Sequence, residues 1–151
     1  MKVSNVCVEA SCLGFPRIGP KRELKRAMER FWSGKISQDE LANAGKQIRL
    51  NSWNLQVKAG LHTIPCNDFS MFDHVLDAAV LVGAIAPRFE ELCDDGGGNV
   101  SLRAYFAMAR GFQGEFNGKQ VDVLALEMKK WFDTNCKFCP GLFSAYASTY
   151  R

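Results

Sequence analysis

Four cations crowd one short loop: Arg17, Lys21, Arg22 and Lys25 fall within LGFPRIGPKRELK, residues 13–25. Leu13, Gly14 and Phe15 read as the end of an apolar strand, Pro16 and Gly19 punctuate the loop, and Pro20 sits at the first positions of a helix, where proline is tolerated. The first turn of a helix leaves backbone NH groups without partners and carries the positive end of the helix dipole, so cations placed there suit an anion such as a carboxylate or a phosphate. The plainer alternative is a solvated basic face at a helix start.

The elements that must hold this loop are legible from hydrophobic spacing. Leu24, Ala27, Met28, Phe31 and Trp32 recur at three- and four-residue steps and predict a helix over 22–33, ended by Gly34. Ser37 and Glu40 have the spacing of a capping box and open a second helix, whose face runs through Leu41, Ala44, Ile48, Leu55 and Ala59 to Gly60. Leu61 to Pro65 reads as a second strand and ends in the polar corner Cys66, Asn67, Asp68. Ser70 is expected to cap a third helix through Phe72, Val75, Leu76, Ala79 and Val82, and Ser101 a fourth through Leu102, Tyr105, Phe106 and Ala109. Residues 113–119 read as a glycine-containing loop. Val121, Leu124, Ala125, Met128, Trp131 and Phe132 keep helical spacing, with Lys129 and Lys130 in the last turn, and Asp133 to Asn135 approach a third strand. Strand, helices, strand, helices, strand is the order of parallel βα units.

Composition narrows the function classes. At 151 residues the chain is the size of one domain, and its 47% hydrophobic and 23% charged content is ordinary for a globular protein. A net charge of +3 without a basic stripe gives no reason to expect nucleic acid or an anionic membrane. The longest apolar run, Ala78 to Ala86, is broken by Gly83 and is too short to span a bilayer, and Glu9 interrupts any secretory signal. A cytoplasmic location with reduced thiols is expected for the six scattered cysteines. His62 and His74 lack companions at metal-ligand spacing, and Asp73 and Asp77 beside His74 are ordinary helix chemistry. Cys136 and Cys139 form a CxxC pair with no second pair to complete a zinc site. DDGGGN at 94–99 lacks the lysine and hydroxyl of a phosphate loop.

Taken together, the blocks LGFPRIGPKRELKRAMERFWSGKIS, IPCNDFSMFDHVLDAAVLVGAI, APRF, YFAMARG and EMKKWFDTN resemble, in order and spacing, the start of the N-terminal barrel of cobalamin-independent methionine synthase. The resemblance implies an α/β fold, a partial (β/α)8 barrel of about the first three strands with their helices. It implies an enzyme family that moves a methyl group from 5-methyltetrahydropteroyl-polyglutamate to homocysteine, with zinc in the second barrel of the complete enzyme and no cofactor in this chain. The first barrel helps hold the folate's polyglutamate tail. Carried over residue by residue, Arg22, Glu23, Leu24 and Lys25 match the tail-binding segment, Lys130 a second contact, and Asn135 another.

The likeness covers residues 12–135, between an N-terminal extension at 1–11 and a divergent tail at 136–151, where CKFCPGLFSAYASTYR replaces the family's continuation. A whole barrel takes about 250 residues, so the expected molecule is a fragment without methyl transfer of its own. Its open sheet edge is expected to favour self-association. A folylpolyglutamate-binding module, a synthase-interacting module and a non-functional truncated product are the alternatives.

Overall fold

The computed structural model describes residues 8–93, 100–131 and 134–138. The chain divides into two compact units, Met1–Met71 and Phe72–Arg151. It is mixed helix and strand.

In the first unit, α1 (Glu23–Trp32) and α2 (Gln38–Lys58) pack on one another through the faces that the periodicity marks, with Leu24, Ala27, Met28, Leu41 and Ile48 buried. The capping box of α2 is formed: the Ser37 NH donates to Glu40 Oε2 at 2.7 Å, and the Glu40 NH donates to Ser37 Oγ at 3.2 Å. Gly45 lies buried in this helix because a side chain there would drive into Met71 and Phe69. The bonds from Ser37, its backbone NH foremost and its hydroxyl next, hold the Glu40 carboxyl below the usual glutamate range, with a smaller contribution from Arg30. A carboxyl lowered on folding stabilises above its ordinary value, about pH 4–5, and that contribution fades as pH falls through the folded value. Ser37→Ala removes the hydroxyl that caps α2 and, as the loss of an N-cap, is expected to cost about 0.5–2 kcal/mol at neutral pH. The backbone NH of residue 37, the larger cause of the Glu40 shift, remains in the variant, so the deficit, read as the difference in urea midpoints at pH 7 and pH 3, should narrow only slightly in acid.

The strands expected at 13–15 and 61–65 reduce to one isolated parallel bridge, Ser11 with Thr63, supported by bonds from the His62 and Thr63 NH groups to the Ala10 carbonyl. The parallel sense is as expected; the strand length is not. His62 is a backbone partner here, its Nδ1 accepting from the Ala10 NH at 3.1 Å.

In the second unit, α3 (His74–Leu81) starts later than Ser70. The cap is Asp73, whose carboxylate accepts from the Leu76 NH at 2.8 Å. The Tyr105 hydroxyl takes up the NH groups of Phe72 and Asp73 and donates to Asp77 Oδ1 at 2.6 Å, so the backbone before His74 is held in extended form by a side chain. A 3₁₀-helix follows at Pro87–Leu92, then α4 (Leu102–Arg110), capped by Ser101 and closed by Gly111 as expected. Leu76, Phe89, Leu92, Leu126 and the run Ala104–Ala109 are buried and form the core of this unit.

Beyond α4 the structure corrects the sequence reading. The expected loop at 113–119 is β1 (Phe112–Phe116) turning through Asn117 and Gly118 into β2 (Lys119–Val123), and the two strands pair antiparallel. The helix expected over 121–132 is absent; its residues fall in β2, in a connection, and in β3 (Glu127–Trp131), which pairs antiparallel with β4 (Thr134–Phe138). Lys129 and Lys130 are thus strand residues, not the last turn of a helix. Asn117 and Gly118 have φ of 49° and 77°, the left-handed pair of a tight hairpin turn. Arg103 of α4 secures the first hairpin, stacking over Phe112 and Phe116 and donating to the Glu115 carbonyl. Among the described residues no helix is long and apolar enough to cross a membrane.

Candidate functional site

The FPRIGP loop is held from two sides. The Phe15 NH donates to Asp68 Oδ2 at 2.7 Å, and Arg17 Nη1 donates to the carbonyls of Ser70 and Met71, each at 3.2 Å. Arg17, grouped with the anion-binding cations on sequence grounds, therefore works as a clamp on the chain before α3. The loop closes as a turn, Arg22 NH to Gly19 carbonyl at 3.0 Å, with Pro20 at the second position, where its fixed φ fits. Pro20 consequently precedes the helix instead of sitting in its first turn.

Arg22 is the residue before α1 and has φ 60° and ψ 39°, left-handed backbone that costs a non-glycine residue about 1–2 kcal/mol. Its side chain makes no cap bond and lies exposed. Glu23 folds back so that its Oε2 accepts from the Lys21 NH at 2.9 Å, and it occupies the space that a side chain at Gly19 would need. Leu24 donates its NH to the Ile18 carbonyl at 3.1 Å and buries its side chain completely. Lys25 is exposed and pairs with Glu29 at 3.6 Å, one turn on. The NH groups of Lys21, Arg22 and Leu24 are thus engaged within the loop, and the cations that this helix start presents to solvent are the side chains of Lys21, Arg22 and Lys25.

Of the sequence-predicted site residues, the structure brings Arg22, Glu23, Leu24 and Lys25 together at one helix start but divides their roles. Arg22 and Lys25 offer charge to solvent, Glu23 orders the loop, and Leu24 belongs to the core. Lys130 and Asn135 are register partners across the β3–β4 hairpin in the second unit, a pairing that a helix at this position would not have made. Cys139 and the stretch 94–99 lie outside the described residues.

Sequence reasoning missed a cavity of about 620 Å³ against the same loop. Phe15, Pro16, Pro20, Ile48 and Leu55 supply its apolar wall, and Glu23 brings a carboxylate to it. Its signal was present in the sequence: Leu55 continues the apolar stripe of α2 but is exposed, so that end of the stripe has no partner in the core. Among the described residues no three histidine, cysteine, aspartate or glutamate side chains stand close enough to hold a metal ion.

Comparison with known proteins places this geometry in context. Residues 9–142 match the family described as cobalamin-independent synthase, N-terminal domain. The chain is 58% identical over 123 residues to a protein of Flavobacterium johnsoniae named 5-methyltetrahydropteroyltriglutamate–homocysteine methyltransferase, covering 82% of this chain and 15% of that one. Proteins of the same name from Saccharomyces cerevisiae and Dictyostelium discoideum are 46% and 44% identical over 140 and 147 residues, covering 91% and 85% of this chain. The chain spans 18% of the length of each of those two. With the matched region taking in the clamped loop, the helix start and all four strands, the chain belongs to the cobalamin-independent methionine synthase family, as a part of its N-terminal domain.

Proposed function

We propose that this chain holds the polyglutamate tail of 5-methyltetrahydropteroyl-polyglutamate, using Lys21, Arg22 and Lys25 as the carboxylate-binding cations. One observation carries the reading: in a member of a family whose relatives are named for a triglutamyl substrate, a strained arginine and two lysines stand exposed around a rigidly clamped helix start. Backbone strain at a residue that gains no cap from it is the mark of a position kept for its side chain. A chain of γ-linked glutamates offers one carboxylate per residue plus a terminal one, and separate exposed cations meet such a string better than one buried pocket would. Lys130 and Asn135 are proposed as further tail contacts, and the barrel of which these elements form the beginning as the scaffold.

Methyl transfer to homocysteine belongs, on this proposal, to a longer enzyme. Zinc, which the family resemblance attaches to that enzyme, finds no fitting set of donors among the described residues, and the contribution proposed for this chain is to bind and orient the tail. Homocysteine is proposed as a ligand of that longer enzyme, and the proposed setting is the cytoplasm.

Two substitutions test the site. Lys25→Ala removes a cation whose ion pair is exposed, and Arg22→Gly removes the guanidinium while fitting the left-handed backbone better than arginine does. Each is expected to weaken 5-methyltetrahydropteroyl-triglutamate about 1.5- to 5-fold in isothermal titration. Neither should lower the thermal midpoint, and Arg22→Gly should raise it slightly. Unchanged affinity in both variants would remove these residues from the tail site.

A further inference from the structure

Asn117 is the one asparagine in the sequence that glycine follows, and the pair forms the tip of the first hairpin. Both residues are exposed, and a Cβ built at Gly118 would meet no atom within 4 Å. The Asn117 carboxamide and the Gly118 NH have no hydrogen-bond partner among the described residues. The other carboxamide of β1 differs: Gln113 Nε2 donates to Asp122 Oδ1 at 3.1 Å across the strands. Asn43, Asn51 and Asn54 differ too, since each lies inside α2, where the NH of the following residue is spent on the helix. At the hairpin tip alone, an electrophilic carboxamide and a backbone nitrogen that no neighbour holds or covers stand next to one another in the chain.

That juxtaposition allows a reaction that needs only water. The Gly118 nitrogen attacks Asn117 Cγ, a C–N bond forms, the bond from Cγ to the side-chain nitrogen breaks, and ammonia leaves with the proton that Gly118 gave up. The product is a cyclic imide. Water then opens either imide carbonyl. One opening leaves aspartate in an ordinary chain; the other leaves isoaspartate, in which the side-chain methylene has become part of the main chain. Glycine favours the closure because no side chain crowds the attacking nitrogen.

The two products differ in what the hairpin can accommodate. Aspartate before glycine suits a two-residue turn with both φ positive, as asparagine does. Isoaspartate lengthens that turn by one backbone atom, and the turn is what sets Phe116 opposite Lys119 and Gln113 opposite Asp122. The change reaches α4 through Arg103, which stacks over Phe112 and Phe116 and donates to the Glu115 carbonyl, three contacts that need β1 in its present place.

We infer that the pair Asn117 and Gly118 is a self-modification site, which converts through the imide to isoaspartate, and that this product releases the first hairpin from Arg103. The inference concerns the second unit alone and does not draw on the tail-binding proposal.

The test ages the whole chain at pH 7 and pH 9 and digests it with trypsin, which cuts after Arg110 and Lys119 and so isolates residues 111–119. That peptide should gain the mass of an exchange of NH2 for OH, faster at pH 9 because the attacking nitrogen must lose its proton, and should accept methyl groups from an isoaspartyl methyltransferase. When half of it has converted, less than a tenth of the peptides carrying Asn43, Asn51 or Asn54 should have done so. Asn117→Gly, which keeps a residue suited to the turn, should abolish the gain and so exclude Gln113 as its source. Hydrogen exchange then reads the hairpin: the amides of 112–123 should lose protection in the isoaspartyl fraction and keep it in freshly purified Asn117→Asp, where the charge changes and the main chain does not. Conversion at Asn117 no faster than at the asparagines of α2 would overturn the modification site. Full protection in the isoaspartyl fraction, or an equal loss in Asn117→Asp, would overturn the release of the hairpin.

Discussion

Leu24→Ala will lower the stability of the first unit by about 2–5 kcal/mol and leave the proposed tail binding intact wherever the variant remains folded. The side chain is fully buried in the core, and alanine is at least as good a helix former, so the loss comes from the cavity left behind and from the transfer of the missing carbons. The result separates two roles inside one motif. Arg22 and Lys25 stand in solvent, while the residue between Glu23 and Lys25 is what fixes α1 against α2, and with it the direction in which the cations point. Urea unfolding followed by circular dichroism gives the stability, and titration well below the midpoint gives the affinity, expected within about twofold of the parent. A drop in affinity with an unmoved midpoint would make Leu24 a ligand contact instead of a packing residue.

Phe89→Ala will have a comparable or larger effect on the second unit, about 3–5 kcal/mol. The ring is fully buried in the 3₁₀-helix and carries the Arg88 guanidinium 5.1 Å from its centroid. Arg88 in turn donates to the Ala125 carbonyl and pairs with Glu127 at the start of β3. Removing the ring therefore opens the core and loosens the arginine that ties the second hairpin's approach to this helix. At about 2–4 °C per kcal/mol for a chain of this length, the midpoint should fall by roughly 6–20 °C. A shift of less than about 1 kcal/mol would show that the described core of this unit contributes little.

What was legible in the sequence divides at the end of α4. Up to there the helix signals mostly agree with the tertiary structure, though the two expected strands reduce to one bridge: the three-and-four spacing of Leu24, Ala27 and Met28 is the buried face of α1, Ser37 and Glu40 do form the capping box, and Ser101 and Gly111 bound α4. Where the reading slipped, a competing interaction is visible. Ser70 has the chemistry of a helix cap, but its carbonyl is held by Arg17, and the Tyr105 hydroxyl takes the next amides, so the helix waits for Asp73. Tyr105 is distant in sequence, and no local pattern announces it.

After α4 the error was one of period. Val121, Leu124, Ala125 and Met128 fit a helical stripe, yet Phe112, Gly114 and Phe116 also alternate on one side of Asn117 and Gly118, with Val121 and Val123 on the other. Asparagine followed by glycine between alternating segments is the strongest short hairpin signal, and it outweighs a stripe that must cross Asp122 and a connection at 124–126. Gly111, at φ 81°, adds a tertiary reason: a side chain there would press on the Val123 carbonyl and the Ala125 amide, so the backbone of the β2 end passes closely over the end of α4. The candidate site was legible in its cations and not in its division of labour. Nothing in the spelling RELK distinguishes a buried leucine from an exposed lysine without the partner helix, and Arg17 looked like one more cation until its two carbonyl partners were in view.

The account stands most directly on the dependence of affinity on tail length. Isothermal titration of the whole chain at low ionic strength with 5-methyltetrahydropteroyl mono-, di- and triglutamates should give affinities that rise at each step, by about 2- to 30-fold from mono- to triglutamate, since each added carboxylate meets, on the proposal, an exposed cation worth about 0.2–1 kcal/mol. The rise should flatten in Lys25→Ala and shrink as salt is added. Equal affinity for the mono- and triglutamate forms would contradict the proposal that this helix start reads the tail.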